Sequence, residues 1–340
     1  MINGDGQVGV REVELPALQM NEVAIKVRAS LISPGTEMGA VRGYRAKPDP
    51  AAAPMPFGYA CVGEVLEIKG DGRGLHPGMR VAAMGAGKAL HADYVNVPIN
   101  LVVPIPDSLH YEEAVYACLG ATALQTVRRA EPQLSDYGLV LGMGIVGNLT
   151  MQLSRLSGAR MMAWEGLAGR RRIGAACGLT DIIEPGEAAV KYAQKFAAPY
   201  GMDFAVFAFG GDATPAFEQV KEVMKLSADG HRMGRIVLVG GCKVCIDGGA
   251  ASGNLDIVAA SRTGAGYHDP QWELGADYPN AFVQYTTQRN LREIVRLIDE
   301  KRLVVAPLTT HRMPLREVGR AADLLVDQPD LAMGIVLEMN

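Results

Sequence analysis

The sequence predicts an α/β protein with two lobes, one rich in short β-strands and one built on a doubly wound parallel sheet. Three observations lead to this prediction. The chain has 340 residues, whereas a single hydrophobic core stops growing at roughly 250 to 300 residues. The first third consists of short strand-like runs separated by Gly and Pro turns, which is typical of a small barrel or sandwich. Residues 139–239 alternate between strand-like and helical stretches, as in a doubly wound sheet.

The N-terminal strands are predicted from side-chain alternation and turn residues. Residues 23–29 largely alternate apolar and polar side chains with the period of two of a half-buried strand. Residues 58–68 form a more apolar strand, and residues 76–81 form a turn that leads into the next strand. Residues 93–97 and 101–103 are further strands of the same lobe.

The alternating region begins after a helix over residues 112–129 that is interrupted around Gly120. The strands are predicted at residues 139–141, 161–164, 204–209 and 235–240. The helices between them are predicted at residues 148–157, 170–177 and 215–226. This alternation indicates parallel strands joined by crossover helices.

The C-terminal part returns to mixed structure. Residues 290–299 form an amphipathic helix with its apolar residues on one face, and residues 303–305 and 334–337 are strand-like. We therefore divide the chain into a first part of the β-rich domain at residues 1–118, a nucleotide-binding domain at 119–285, and a return segment at 286–340.

Composition and charge exclude several classes of function. The formal net charge is −4 and the sequence has no long basic run, which argues against a nucleic-acid or anionic-membrane partner. The five cysteines are scattered, and Cys242 and Cys245 lack a second pair, so we expect packing residues in a reducing compartment. The sequence has neither an apolar signal core nor a run of about 18 apolar residues, which predicts a cytoplasmic protein.

A glycine-rich turn follows the first strand of the alternating region. It reads Gly142-Met143-Gly144-Ile145-Val146-Gly147 and opens a helix. In a dinucleotide fold the first glycine permits a tight turn, the second lets the backbone approach the pyrophosphate, and the third lets the helix pack on the strand. The helix N-terminus offers free N–H groups to the phosphates. We therefore predict a dinucleotide site at these residues, the alternative being an ordinary glycine-rich turn.

The choice between NAD and NADP depends on the end of the next strand. Glu165 lies there, and a carboxylate at this place accepts hydrogen bonds from a ribose 2′-OH and repels a 2′-phosphate. Arg170, followed by two more arginines, leaves NADP open, although a solvated helix face explains these cations as well. The prediction is NAD, with NADP as the alternative. Thr122, in the preceding helix, is a further cofactor-binding candidate.

Three motifs connect the chain to a known family. The segment G-Y-A-C-V-G-E-V at 58–65 resembles a G-H-E-x-x-G-x-V motif, H-P-G-M-R-V at 76–81 resembles x-x-G-D-R-V, and P-L-T-T-H at 307–311 resembles L-I-T-H. With the glycine motif between them, the chain resembles a medium-chain dehydrogenase/reductase over nearly its whole length. The resemblance implies a Rossmann domain beside a GroES-like catalytic domain, a nicotinamide cofactor and a homodimer.

Departures from this family concern the catalytic metal. Where zinc members carry a C-G-T-D-like segment, this chain has Ser33-Pro34-Gly35-Thr36-Glu37, and the zinc-ligand His falls on Tyr59. Only Cys118 lies where the third ligand aligns. Because a hydroxyl and a phenol are poor zinc ligands, we predict that the chain binds no metal.

Within the family, S-P-G-T-E resembles a zinc-free subgroup, as do Y-H-D-P at 267–270, D-Y-P at 277–279 and Q-R-N at 288–290. This subgroup includes bacteriochlorophyllide dehydrogenase and oxidoreductases that act on sugars and cyclitols. The resemblance implies that a secondary alcohol and a ketone are interconverted. The irregular, aromatic residues 267–279 are expected to contact the substrate.

The catalytic candidates follow from the missing metal, because another group must donate the proton and stabilise the oxyanion. Tyr59 is the expected proton donor or acceptor, Ser33 and Thr36 are expected to relay a proton or bind the substrate oxygen, and Glu37 is expected to orient them. His91 is expected near the same site. A structural role stays open for each of them. Tyr59 could anchor the end of its strand, Ser33 and Thr36 could be turn residues, and His91 could be a packed histidine. Lys88 and His268 are further candidates.

The predicted function is zinc-independent, NAD(P)-dependent interconversion of an alcohol and a ketone on a sugar-, cyclitol- or natural-product-like small molecule. Two alternatives stay open: an enoyl or quinone reductase, and a nucleotide-binding protein without turnover. For the homodimer we expect an exposed sheet edge supplied by residues 235–240 and 244–257.

Overall fold

The computed structural model describes residues 1–339. The strands in chain order are β1 Glu22–Ile32, β2 Ala60–Lys69, β3 Arg80–Met84, β4 Tyr94–Pro98, β5 Val102–Pro104, β6 Tyr137–Leu141, β7 Arg160–Trp164, β8 Ile182–Ile183, β9 Phe204–Phe207, β10 Gly211–Asp212, β11 Met233–Val239, β12 Cys242–Lys243, β13 Asn254–Ala260, β14 Thr309–Pro314 and β15 Gly334–Glu338. The α-helices are α1 Thr36–Ala46, α2 Tyr111–Ala114, α3 Ala117–Ala130, α4 Ile145–Leu156, α5 Ala168–Ala176, α6 Glu187–Phe196, α7 Thr214–Val223, α8 Pro270–Glu273, α9 Thr287–Asp299 and α10 Val318–Asp327.

The chain divides into two compact units. The first contains Met1–Ala121 and the chain from Thr263 onward, and the second is Thr122–Arg262. The chain therefore returns to the first unit at Thr263, whereas the sequence analysis places the start of the return segment at residue 286. The reason lies in hydrogen bonds within the first unit: Asn100 Nδ2 donates to the carbonyl of Trp272 at 2.6 Å, and Asn21 Nδ2 donates to that of Leu274 at 2.9 Å.

The first unit is built on a mainly antiparallel sheet with the order β14-β15-β1-β2-β3-β5, and β4 pairs with β1. The long central strand β1 is buried over most of its residues, and it pairs with β2 along one edge and with β4 and β15 along the other. Helices α1 and α10 pack together over an apolar cluster that includes Ile32, Met38, Val41 and Leu325. This sheet holds the turn at Ser33, which directly follows β1.

The second unit contains a parallel sheet with the order β13-β11-β9-β6-β7-β8. Its apolar core includes Leu139, Trp164, Phe207 and Phe217. The strand order reverses at β6, since β7 lies on one side of it and β9 on the other. Ligands of doubly wound folds bind at the carboxyl ends of strands at such a switch point. The predicted α/β class with a parallel doubly wound sheet is confirmed.

Three local predictions were wrong. The helix break lies between α2 and α3, not at Gly120, which is inside α3. Glycine stands there for a packing reason, because a Cβ at this residue would lie 2.5 Å from Ile294 Cγ2. Residues 303–305 are not a strand, since the backbone N–H of Leu303 donates to the carbonyl of Leu297 at 2.9 Å and closes α9. Residues 235–240 do not supply a sheet edge, because β11 lies between β9 and β13.

In the part of the chain that the structure describes, every helix is too short or too polar to cross a lipid bilayer.

Candidate functional site

The glycine turn after β6 has the geometry that a pyrophosphate requires. Gly142 has a φ of +90°, in the left-handed region that favours glycine. A Cβ on Gly147 would lie 1.9 Å from the carbonyl oxygen of Gly142, so only glycine fits there. The backbone at Gly144 is open, with Arg170 Nη1 the nearest atom at 3.8 Å from a Cβ placed there. Gly144 is the N-cap of α4 and has no side-chain cap, so Ile145 and Val146 begin the helix with N–H groups available for an anion. These residues therefore fit a dinucleotide.

Glu165 follows β7 and holds the glycine turn. Its Oε2 accepts a hydrogen bond from the backbone N–H of Met143 at 2.6 Å, and its Oε1 accepts one from Leu167 at 2.8 Å. The residue is 5% exposed. A carboxylate fixed at this strand end keeps acceptor capacity for a ribose hydroxyl, because each oxygen has more than one lone pair.

The three arginines of α5 differ in their contacts. Arg171 donates to the carbonyls of Glu165 and Gly166 and pairs with Glu184, so its guanidinium is occupied by structural contacts. Arg170 Nη1 lies 4.0 Å from Glu165 Oε2, and its buried Nε has no hydrogen-bond partner among the described residues. Arg170 is therefore the arginine of this helix that is placed near the glycine turn.

Thr122 is placed on α3, where its carbonyl accepts a hydrogen bond from the hydroxyl of Thr126 at 2.9 Å. The predicted role of Thr122 in cofactor binding stays a prediction.

The catalytic candidates of the first unit meet at the end of β1. The carboxylate of Glu37, in the first turn of α1, reaches back so that its Oε2 accepts the backbone N–H of Ser33 at 2.6 Å. Its other oxygen, Oε1, lies 3.2 Å from Nε2 of His91. The opposite ring nitrogen of His91 lies 2.7 Å from the hydroxyl of Ser30 on β1. These four residues are buried and form one hydrogen-bonded network.

Tyr59 reaches this network because of the glycine that precedes it. A Cβ on Gly58 would lie 2.2 Å from the backbone nitrogen of His91, and the φ of Gly58 is +119°. The backbone N–H of His91 donates to the carbonyl of Phe57 at 3.0 Å, while the carbonyl of Tyr59 accepts from Gly85 at 3.0 Å. The chain before β2 is thereby held on both sides of Gly58.

The phenol of Tyr59 is protonated at neutral pH. Burial raises the pKa of Tyr59 above its usual value, and the neighbouring Cys118 and Glu37 raise it further. Hydrogen bonds with the side chains of Ser33 and Thr36 favour ionisation but do not offset the burial. Burial also raises the pKa of the Cys118 thiol. The site thus presents neutral O–H and S–H groups.

This donor set does not fit a catalytic zinc ion. Zinc sites are made from thiolate, imidazole and carboxylate groups, which lose their protons as the metal binds. Here Ser33 and Tyr59 offer an aliphatic hydroxyl and a phenol, which are poor zinc ligands beside thiolate and imidazole, and His91 and Glu37 are hydrogen-bonded to each other. Within residues 1–339, no group of three or more His, Cys, Asp or Glu side chains has an arrangement suited to a metal.

The two further candidates have structural contacts. Lys88 Nζ lies 3.3 Å from Glu22 Oε1. His268 has a φ of +71°, and its ring lies against the ring of Tyr267 with centroids 3.9 Å apart. Residues 267–279 are irregular except for α8, and the hydroxyl of Tyr267 accepts the backbone N–H of Ala86 at 2.8 Å.

Sequence reasoning missed Ser30 and Gly58. Ser30 is a polar residue in the apolar run A-S-L-I of β1 and is fully buried, which is a recognisable signal for a buried hydrogen-bonded group. Gly58 belongs to the motif at residues 58–65, but its close approach to His91 joins residues that are distant in the sequence.

Comparisons with known proteins give partial sequence matches. No protein-family model matches the chain. The uncharacterized zinc-type alcohol dehydrogenase-like protein YphC of Escherichia coli K12 is 29% identical over 191 residues, which cover 46% of this chain and 54% of that protein. The 2-desacetyl-2-hydroxyethyl bacteriochlorophyllide A dehydrogenase of Cereibacter sphaeroides is 30% identical over 183 residues, covering 48% of this chain and 56% of that protein. The chain thus spans about half the length of the curated relatives it matches.

Solved structures match the fold over almost the whole chain. The 2R,3R-butanediol dehydrogenase of Bacillus subtilis superposes with a TM-score of 0.77 at 18% identity, covering 99% of this chain and 98% of that chain. In fold over nearly its whole length, and in sequence over about half of it, the chain is similar to the zinc-type alcohol dehydrogenase-like proteins of the medium-chain dehydrogenase/reductase superfamily.

Proposed function

We propose that the protein is a zinc-independent, NAD(P)-dependent oxidoreductase that interconverts a secondary alcohol and a ketone on a small polyhydroxylated or bulky substrate. The observation that carries the proposal is the cluster at Tyr59, where a protonated phenol is hydrogen-bonded to the side chains of Ser33 and Thr36. Tyr59 and Ser33 fall where the zinc members that the chain resembles carry metal ligands. The similarity to alcohol dehydrogenases supports the reaction class.

In this proposal the residues of the second unit hold the cofactor, which supplies the hydride acceptor or donor when bound. The turn at residues 142–147 binds the pyrophosphate through backbone N–H groups, and Glu165 accepts hydrogen bonds from the adenosine ribose. We propose NAD as the preferred cofactor, because Glu165 is buried beside the turn and would face a 2′-phosphate.

The residues of the first unit move the proton. Reduction of a ketone leaves an alkoxide, and the Tyr59 hydroxyl donates its proton to that oxygen. Ser33 and Thr36 donate hydrogen bonds that stabilise the resulting phenolate, which the burial of Tyr59 otherwise disfavours. Glu37 and His91 are positioning residues, since they bind the backbone of Ser33 and each other rather than the phenol.

The test is a reductase assay with metal-stripped protein. Ketones, enones and quinones are offered with NADH or NADPH, and the absorbance of the reduced nicotinamide is followed. Consumption with ketones supports the proposal. Consumption with enones or quinones alone would indicate the double-bond or quinone chemistry of other zinc-free dehydrogenases, and cofactor binding without turnover would indicate a non-catalytic nucleotide-binding protein.

A further inference from the structure

A cavity of about 380 Å³ lies in the first unit, and its lining contains none of the residues proposed above for catalysis or cofactor binding. Its walls come from the β2–β3 turn, from residues 272–284 and from the beginning of α9. Three arginines line it: Arg73, Arg289 and Arg292. A smaller adjoining cavity shares Arg73 and Arg292. Pockets that bind small molecules have volumes of roughly 300 to 1,000 Å³, so the size suits a small metabolite.

The wall of this cavity is fixed by a buried amide. Asn100 is 1% exposed, and its Oδ1 accepts a hydrogen bond from Arg73 Nη1 at 3.1 Å. Its Nδ2 donates to the carbonyl of Trp272 at 2.6 Å. Arg73 also forms a bidentate salt bridge with Asp277, in which Nη1 donates to Oδ1 at 3.0 Å and Nη2 donates to Oδ2 at 2.7 Å. Arg73 thus joins the β2–β3 turn to both Asn100 and Asp277.

The charges that face the cavity are unbalanced. Against three arginines the lining has one carboxylate, that of Asp277, which is engaged with Arg73. Arg289 donates one hydrogen bond to the carbonyl of Gln284, and its guanidinium lies over the ring of Tyr285. Since a guanidinium has five N–H donors, further donors of Arg289 can bind a ligand. Arg292 lies on the exposed side of α9, one helical turn after Arg289, and it makes no ion pair within the described residues. The neighbouring Glu293 pairs with Arg296 instead. Two positive charges therefore remain at the cavity of a chain whose formal net charge is −4.

From these contacts we infer that the cavity binds a small phosphorylated metabolite, with the phosphate held by Arg289 and Arg292. A phosphate monoester carries about −1.5 to −2 charges at neutral pH, which matches the two unbalanced guanidinium groups. Planar guanidinium forks bind phosphate oxygens through paired hydrogen bonds. The rest of the ligand lies against the neutral polar side chains of Asn280, Gln284 and Gln288, which suit a hydroxylated carbon skeleton.

The test is a calorimetric titration with glucose 6-phosphate, with glucose and inorganic phosphate as comparison ligands. The double variant Arg289→Gln/Arg292→Gln should weaken the binding of glucose 6-phosphate by at least about tenfold, because it removes charged hydrogen-bond donors. The matched control is Arg296→Gln/Arg302→Gln, which also removes two positive charges. Both of these arginines form ion pairs with Glu300, and neither lines the cavity. The control should change the affinity by less than about twofold.

Glucose 6-phosphate should bind more tightly than inorganic phosphate, and glucose should not bind at millimolar concentration. Equal weakening by both double variants would show only a general charge effect and would overturn the inference. Unchanged binding in Arg289→Gln/Arg292→Gln would overturn it as well, since the phosphate would then bind at another site, such as the glycine turn. The single variant Arg292→Gln repeats the test with the smallest disturbance. None of these outcomes depends on the proposed reductase activity.

Discussion

Nε2 of His91 lies 3.2 Å from Oε1 of Glu37, although the two residues are 54 positions apart in the chain. The other oxygen of the same carboxylate accepts the backbone N–H of Ser33 at 2.6 Å. Glu37 therefore ties the turn after β1 to the loop that carries His91. Since the turn also brings Ser33 and Thr36 to the phenol of Tyr59, this buried network determines where the proposed proton donor is held.

Replacing Tyr59 with Phe should reduce turnover with little effect on cofactor affinity. Phe keeps the ring and removes the hydroxyl, and a positioned general acid contributes about 10² to 10⁴ in rate. Steady-state kinetics together with NADH titration measures both effects. A fall in turnover of less than about threefold would mean that Tyr59 is a structural anchor.

The pH dependence of the unmodified protein gives a second test of Tyr59. Because burial raises the pKa of Tyr59, the phenol remains the protonated donor between about pH 6 and pH 9. The rate of ketone reduction should therefore show no loss from ionisation of Tyr59 in this range.

Replacing Glu37 with Ala should destabilise the first unit. The change leaves the buried N–H of Ser33 and a ring nitrogen of His91 without an acceptor, and each unsatisfied buried group costs about 1 to 3 kcal/mol in the free energy of unfolding. Glu37→Gln keeps an acceptor for Ser33 and should lose less. Chemical unfolding of the three proteins provides the comparison, and equal stability of Glu37→Ala and the unmodified protein would show that water replaces the carboxylate.

Replacing Glu165 with Gln should reduce the preference for NAD over NADP. The amide oxygen still accepts a hydrogen bond from the glycine turn, but the negative charge that would face a 2′-phosphate is gone, and Arg170 lies nearby. Fluorescence titration of both reduced cofactors gives the ratio of dissociation constants. If the unmodified protein bound NADPH at least as tightly as NADH, Arg170 rather than Glu165 would set the preference.

We expect a homodimer that pairs through β13, the edge strand of the parallel sheet. An edge strand presents unpaired N–H and C=O groups, and the partly exposed Ile257 and Val258 add apolar surface. Light scattering at micromolar concentration should give twice the chain mass, and Val258→Lys should shift the protein toward the monomer. A monomeric mass for the unmodified protein would refute the dimer.

The sequence was most informative where local pattern determines structure. The period-two runs and the strand–turn–helix pattern around Gly142 predicted both lobes, because these signals depend on neighbouring residues. Of the two segments predicted to supply the sheet edge, residues 235–240 lie inside the sheet, whereas residues 244–257 overlap β13, the edge strand. The local pattern did not separate the two, since strand order in a parallel sheet is set by the crossovers. The bond between Ser30 and His91, and the cavity between Arg73 and Arg292, join residues far apart in the sequence, so neither was predicted.

The central claim is that ketone reduction proceeds without zinc, and a single-turnover experiment tests it most directly. Protein dialysed against a chelator and shown by elemental analysis to contain no stoichiometric zinc is mixed with NADH and a reducible ketone, and the decay of the reduced nicotinamide is recorded. Our account predicts the same rate and amplitude before and after chelation, because Ser33 and Tyr59 are poor zinc ligands and the phenol supplies the proton. A reaction that stops after chelation and returns when one equivalent of zinc is added would contradict it.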